Sequence, residues 1–191
     1  MDSRTNKVLG LDLDGVIVDH TENVIFLAKS LGFGVKKHEA ATDLLKTKIP
    51  EAAYEKIQES LYDDPVVALS PPLHRGARRA LGFLKTERWP YFLISRRRNP
   101  PLAISLLEKQ KLWPRFFNEG NTFFVNEKAD KNAKARALGI SIYIDDQPSV
   151  LNALVSVPHK FLFDRHSAYA GLVGNYRVVR SWRGFISALR G

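Results

Sequence analysis

The sequence predicts an α/β fold in which helices cover both faces of a parallel sheet. Short runs of apolar residues, rich in β-branched and aromatic side chains, alternate with longer helical patterns. The runs are continuously apolar rather than alternating, which is typical of strands buried on both faces. One segment, residues 20–75, breaks this alternation because it has helical patterns and no convincing strand. We therefore expect a parallel sheet with a helical insertion after its first strand.

The order of the elements follows from these patterns. The predicted strands are 7–13, 90–95, 122–125, 141–145, 160–163 and 176–179. The predicted helices between and after them are 76–86, 99–112, 130–138, 148–155 and 182–190. Asn99 before Pro100 is a favourable N-cap and first-turn pair, and Gly139 suits a helix C-terminus.

The inserted segment contains three helical patterns, at 22–31, 38–47 and 50–62. An insertion after the first strand lies over the carboxyl end of the sheet, where α/β folds bind ligands. We predict a core formed by residues 1–19 and 76–191, and a small helical cap formed by residues 20–75.

The composition limits the kind of protein. The chain has 191 residues, no cysteine and a formal net charge of +9. Disulfides and thiolate metal sites are therefore excluded. A polar N-terminus and the lack of any apolar run near ~20 residues predict a cytoplasmic protein without a signal peptide or membrane span. The positive charge favours anionic partners, namely phosphorylated metabolites, nucleotides or nucleic acid.

The most informative motif is Asp12-Leu-Asp14-Gly15, which ends the first predicted strand. Side chains two residues apart on a strand point the same way, so both carboxylates project from one strand end. Neighbouring like charges oppose joint ionisation unless a cation or a chemical role compensates. The motif therefore indicates a divalent-metal or acid/base site.

A second acidic pair, Asp145-Asp146, ends the predicted strand 141–145. Parallel strands bring their carboxyl ends to one edge, so these acids are expected to converge with Asp12 and Asp14. Carboxylate oxygens suit Mg²⁺, which typically takes one or two carboxylates together with substrate phosphate and water. We expect Mg²⁺ as the cofactor.

Two further residues complete a set for phosphoryl transfer. Ser95 ends the strand 90–95 and supplies a hydroxyl at the same edge, and Lys131 near the start of helix 130–138 supplies a fixed positive charge. A carboxylate nucleophile, a second carboxylate, a metal, a hydroxyl and a lysine together suit transfer through an aspartyl-phosphate intermediate.

With these motifs in this order, the chain resembles the haloacid dehalogenase (HAD) superfamily of phosphohydrolases over nearly its whole length. The quoted motifs are the Asp12–Asp19 segment, Leu-Ile-Ser95 and Ile-Asp145-Asp146. The lysine motif is weaker: Lys131 has the family's spacing to Leu138, while Lys128 and Lys134 stay open. The resemblance implies a Rossmann-like parallel sheet with a C1-type helical cap, and the C-terminal segment is loosely similar to 5′(3′)-deoxyribonucleotidase-like members.

The resemblance also implies roles for the acids. Asp12 is expected to attack phosphorus, and Asp14 to protonate the leaving oxygen and later deprotonate water. The Asp12 carboxylate, the Asp14 backbone carbonyl and Asp146 are the expected metal ligands. Asp145 is expected in the outer shell, orienting Lys131 or a metal-bound water.

Ser95 and Lys131 are expected to hold the phosphoryl oxygens. Gly15, Arg96 and Arg97 are candidate substrate contacts, although Arg96, Arg97 and Arg98 also suit a solvated loop. The five histidines show no ligand spacing and are expected on the surface or in the core. Tyr54 and Tyr62 are expected in the interior of the cap.

The predicted function is a Mg²⁺-dependent phosphatase acting on a small phosphomonoester, possibly a nucleotide. One alternative is a polynucleotide-end (3′-)phosphatase, suggested by the positive charge and the arginine run. Another is a non-catalytic domain that binds a phosphorylated ligand or a protein. A glycosyltransferase Asp-x-Asp site and plain solvated turn acids are weaker readings, because neither explains the second acidic pair.

Overall fold

The computed structural model describes residues 7–190 and contains a six-stranded sheet with the order β3-β2-β1-β4-β5-β6. All neighbouring strands are parallel. The strands are Leu9–Leu11 (β1), Tyr91–Ser95 (β2), Thr122–Phe124 (β3), Ile142–Asp145 (β4), His159–Phe163 (β5) and Arg177–Val179 (β6). The predicted Rossmann-like parallel sheet is confirmed.

Nine α-helices accompany the sheet in the described part of the chain. Four belong to the inserted segment: Thr21–Ser30 (α1), Thr42–Lys48 (α2), Glu51–Asp63 (α3) and Pro65–Ala68 (α4), with a 3₁₀ helix at Lys37–Ala40. Five flank the sheet: Ala77–Thr86 (α5), Pro100–Lys109 (α6), Lys128–Ala137 (α7), Pro148–Ala153 (α8) and Trp182–Arg190 (α9).

Both faces of the sheet are buried, as the apolar strands predict. Successive residues of one strand enter different apolar clusters: Leu93 packs in one and Ile94 in the other. The same holds for Ile144 and Tyr143 on β4. Alternation of side chains along a strand produces this division.

The inserted segment has an apolar cluster of its own. Residues 21–68 form helices and no strand, and their buried side chains include Val24, Leu45, Ile57 and Leu61. The chain leaves and returns to the sheet side by side, because Val18 bridges Leu73. This arrangement fits a cap on the sheet; the boundaries 20 and 75 stay a prediction.

Three predicted elements differ in extent. Strand 7–13 is reduced to Leu9–Leu11, because the chain turns at Gly15, which has φ +79° and donates its N–H to the Val18 carbonyl at 2.9 Å. The predicted helix 38–47 is interrupted at Ala41, whose backbone is extended. Helix 99–112 ends at Lys109, shortly before the positive φ of Lys111.

The strand order positions the site. β1 and β4 are neighbours at the centre, and the order of strands reverses between them. In open α/β sheets, ligands bind outside the carboxyl ends of the strands at such a point. In residues 7–190 there is no helix with the length and apolar character needed to cross a membrane.

Candidate active site

The acids that follow β1 and β4 meet at the carboxyl edge of the sheet. Leu11 is opposite Ile144, and the Asp12 N–H donates to the Ile144 carbonyl at 3.1 Å. Asp12 therefore lies next to Asp145. One carboxylate oxygen from each of Asp12, Asp145 and Asp146 lies within 4.8 Å of the others.

Lys131 joins two of these acids. Its Nζ donates to Asp12 Oδ1 at 2.6 Å and to Asp145 Oδ2 at 2.8 Å, and all three side chains are buried. Burial alone would lower the pKa of Lys131, but the two carboxylates raise it well above its usual value. For Asp12, burial outweighs the attraction of Lys131 and raises the pKa to about 7.

The two other candidate lysines lie elsewhere. Lys128 Nζ donates to Ser149 Oγ at 2.8 Å, and Lys134 Nζ lies over the Phe123 ring, 4.5 Å from its centroid. Among these three lysines, Lys131 is the one that contacts the acids.

Asp145 and Asp146 differ in their contacts. Asp145 uses both oxygens, since Oδ2 accepts from Lys131 and Oδ1 accepts from the Gln147 N–H at 3.0 Å. Asp146 Oδ1 is buried and has no hydrogen-bond partner among residues 7–190. Burial raises the pKa of Asp146 well above its usual value, and Asp145 and Asp12 raise it further. An oxygen held unpaired beside two other carboxylates suits a hard cation such as Mg²⁺.

Gly15 makes room for Asp146. A Cβ on Gly15 would overlap Asp146 Oδ2, and the positive φ of Gly15 disfavours other residues as well. The glycine of the first motif therefore packs against the presumptive metal ligand, in addition to its predicted place beside substrate.

Asp14 turns away from the other acids. His20 Nε2 lies 2.7 Å from Asp14 Oδ1, and Arg97 Nε lies 3.2 Å from the same oxygen. Burial raises the pKa of Asp14, but Arg97 and His20 outweigh it, so the pKa is below its usual value. The Asp14 side chain is thus a carboxylate held between two basic groups.

The residues after β2 occupy three different environments. Ser95 is buried, and its Oγ accepts the Arg97 N–H at 3.1 Å. Arg97 is buried, which corrects the alternative of a solvated arginine loop for this residue. Arg96 is half-buried, with Nη2 3.4 Å from Gln147 Oε1, and Arg98 is exposed beside Asp63.

A cleft lies between these core residues and the helical segment. It is lined from the core by Asp12, Asp14, Lys131 and the arginines, and from the helical segment by Tyr54 and Tyr62. The expectation that both tyrosines lie in the interior of the cap is therefore wrong. Arg97 Cζ lies 5.2 Å from the centroid of the Tyr62 ring.

Sequence reasoning missed His20 as a member of the site. Its imidazole is buried, hydrogen-bonded to Asp14 and packed edge-on against Tyr62 at 5.7 Å. The one available signal was its position directly after the first motif. Asp19, the residue before it, accepts the Thr21 N–H at 3.0 Å and so caps α1.

Comparison with known proteins gives a structural likeness without a sequence likeness. No protein-family model and no curated protein matches the chain. A HAD family hydrolase from Deinococcus radiodurans, solved with bound phosphate and sodium, is similar at TM-score 0.64 and 17% identity, covering 98% of this chain and 96% of that one. A haloacid dehalogenase-like hydrolase from Xanthomonas campestris gives 0.63 and 16%, covering 100% and 93%. A subfamily IA hydrolase of the HAD superfamily from Geobacter sulfurreducens gives 0.60 and 15%, covering 99% and 100%.

These likenesses extend over the whole chain, including the helical segment. At such identities they establish the fold. The chain therefore has the fold of HAD-superfamily hydrolases.

Proposed function

We propose that this protein is a Mg²⁺-dependent phosphatase that hydrolyses a small phosphomonoester through an aspartyl-phosphate intermediate. The observation that carries the proposal is Lys131, which bridges Asp12 and Asp145 beside the unpaired carboxylate of Asp146. The bound phosphate of the Deinococcus hydrolase supports an oxyanion site on this fold.

The residues present fit a magnesium ion. Asp12 and Asp146 would hold it through their carboxylates and Asp14 through its backbone carbonyl, while Asp145 keeps to the outer shell because its oxygens are already bonded. When bound, the ion screens the approach of an anionic substrate to an anionic nucleophile and stabilises developing charge.

In the first step, a carboxylate oxygen of Asp12 forms a bond to phosphorus as the bond from phosphorus to the leaving oxygen breaks. Lys131 holds Asp12 Oδ1, which leaves Oδ2 for the attack. Asp14 gives a proton to the leaving oxygen. A product alcohol and phosphorylated Asp12 result.

In the second step, Asp14 takes a proton from water, and the water oxygen attacks phosphorus. The Asp12–phosphorus bond breaks, which releases inorganic phosphate and restores the Asp12 carboxylate. Ser95 and Lys131 would hold the phosphoryl oxygens in both steps. Gly15 and Arg96 flank the same cleft edge and would contact substrate.

The proposal is tested by hydrolysis of a generic aryl phosphate and a nucleotide panel in the presence of MgCl₂. Asp12→Asn is expected to abolish turnover, whereas Asp63→Asn, on the surface beside Arg98, is expected to retain it. Undiminished hydrolysis by Asp12→Asn would exclude Asp12 as the nucleophile. Failure to form a beryllofluoride adduct at Asp12 in the presence of Mg²⁺ would favour a non-catalytic, ligand-binding domain.

The charge of +9 and the arginine run favour a polynucleotide end as a second candidate substrate. That reading predicts binding to DNA or RNA whose affinity falls steeply with salt, because Lys and Arg displace counterions from phosphates. The tyrosines of the helical segment over the cleft favour a small substrate instead. Binding to single-stranded oligonucleotides between 50 and 200 mM salt, at about the concentrations where such effects are large, separates the two.

A further inference from the structure

Arg97 is a buried cation whose hydrogen-bonding capacity is only partly used. The residue is 3% exposed. Its Nε faces Asp14 Oδ1 at 3.2 Å, and its Nη2 lies 3.4 Å from His20 Nε2. Its Nη1 is buried and has no hydrogen-bond partner among the described residues. One edge of the guanidinium is therefore anchored, and the other has donors to spare next to the cleft.

The two buried cations of the cleft serve different acids. Lys131 contacts Asp12, on the side of the nucleophile, at 2.6 Å. Arg97 contacts Asp14, on the side of the proton donor. In the proposed reaction the leaving oxygen is the part of the substrate that approaches Asp14. Arg97 is thus placed beside the leaving group rather than the attacking carboxylate.

The neighbouring cations are less suited to this position. The Arg98 side chain is 62% exposed and pairs with Asp63 at 3.5 Å. Lys46 lies over the Tyr54 ring, 5.1 Å from its centroid. Charges exposed to water are screened, while a desolvated guanidinium attracts an anion more strongly and can bind an oxyanion through two parallel donors.

We propose that Arg97 binds a second anionic group carried by the leaving part of the substrate. Because the guanidinium is in direct contact with Asp14, this group must lie close to the ester oxygen, within about two or three bonds of it. The substrate class is then the phosphate esters of short hydroxy acids, or short diol bisphosphates. This inference rests on the proposed phosphatase function.

The test compares kcat/KM within two matched pairs in the presence of MgCl₂. The first pair is 2-carboxyethyl phosphate and its primary amide; the second is ethane-1,2-diol bisphosphate and 2-hydroxyethyl phosphate. The anionic member is expected to be hydrolysed with at least a tenfold higher kcat/KM, roughly the value of one charge-assisted hydrogen bond. The pair with the larger ratio distinguishes a carboxylate from a second phosphate.

Variants assign the preference to its residue. Arg97→Gln is expected to bring the ratio close to one, Arg97→Lys to retain part of it, and Arg98→Gln, the adjacent exposed arginine, to leave it unchanged. Equal kcat/KM within both pairs in the wild-type protein would overturn the inference while leaving the phosphatase intact. Loss of the preference in Arg98→Gln to the same degree as in Arg97→Gln would also overturn it.

A binding measurement on the wild-type protein needs neither variants nor turnover. 4-Phosphonobutyrate, an unhydrolysable analogue of 2-carboxyethyl phosphate, is expected to bind at least tenfold more tightly than its amide by calorimetry. Equal affinities would contradict the role of Arg97. Absence of hydrolysis for every ester and for an aryl phosphate would instead overturn the phosphatase function, whatever the two affinities are.

Discussion

At the scale of single residues, Lys131 compensates the buried negative charge of the site. It is the shared hydrogen-bond donor to Asp12 and Asp145, which are both buried. Removing one partner of a buried ion pair leaves an uncompensated charge and costs about 3–5 kcal/mol. We expect Lys131→Met to lower the free energy of unfolding by that amount in urea titrations at pH 7.

Lys134→Met is the matched control, since it removes a lysine of the same helix that lies over the Phe123 ring. A partly exposed cation–π contact contributes about 0.5–1 kcal/mol. Equal losses of stability in the two variants would show that the bridge between the acids is not what makes Lys131 important.

Gly15 couples backbone conformation to the position of Asp146. Gly15→Ala is expected to lower kcat by about 10²-fold, because its Cβ would displace the Asp146 carboxylate and small misplacements in a site have effects of that size. Gly32→Ala is the control: Gly32 has φ +87°, and no atom of the described chain lies within 4 Å of its added Cβ. It should lose about 1–2 kcal/mol of stability without a change in kcat. A similar kcat in both variants would contradict the steric argument.

At the scale of elements, the sequence predicted what local patterns determine. Apolar strands that end in acids place Asp12 and Asp145 at one edge, and Asn99 caps α6 as its residue type suggests, accepting the Leu102 N–H at 3.3 Å. The surroundings of Asp14 were not predictable in this way. Arg97 and His20 are 77 residues apart in sequence, and only the packing of the helical segment against the sheet brings them together. No local pattern distinguishes Arg97 from its exposed neighbour Arg98.

The junction between the first motif and α5 contains a buried histidine that predicts acid sensitivity. Burial lowers the pKa of His74 to about 4, although Asp19, 3.4 Å away, opposes the shift. Between pH 6.5 and 4 the unfolded chain therefore binds a proton at His74 that the folded protein does not bind. Stability should fall as pH decreases through this range, by up to about 3 kcal/mol from this residue.

Urea titrations between pH 7 and 4 measure this effect. His74→Gln is expected to show a shallower decline than the wild-type protein, and His38→Gln, which replaces an exposed histidine, to follow the wild-type curve. A decline as steep in His74→Gln as in the wild type would assign the acid sensitivity to other groups, such as Asp19, whose pKa is held low by His74 and the Thr21 hydrogen bonds despite burial.

At the scale of the whole molecule, the central pair of strands links the stability of the fold to occupancy of the site. β1 and β4 together carry Asp12, Asp145 and Asp146, so a cation that binds these acids binds only the folded chain. Mg²⁺ at 100 times its Kd should then add about 2.7 kcal/mol of stability. For a domain of this size, that corresponds to a rise in Tm of roughly 5–10 °C.

Asp146→Asn separates this effect from unspecific effects of salt. It removes a like charge from a buried cluster, so the variant without metal is expected to melt no lower than the wild-type protein. Its response to MgCl₂ should nevertheless be lost, because Asp146 Oδ1 is the unpaired oxygen of the cluster. Asp63→Asn, at the surface, should retain the full response, and calorimetric scans at constant ionic strength measure all three proteins. A rise in Tm of equal size in Asp146→Asn would place the bound cation elsewhere, and the metal role of the acidic cluster would then have to be abandoned.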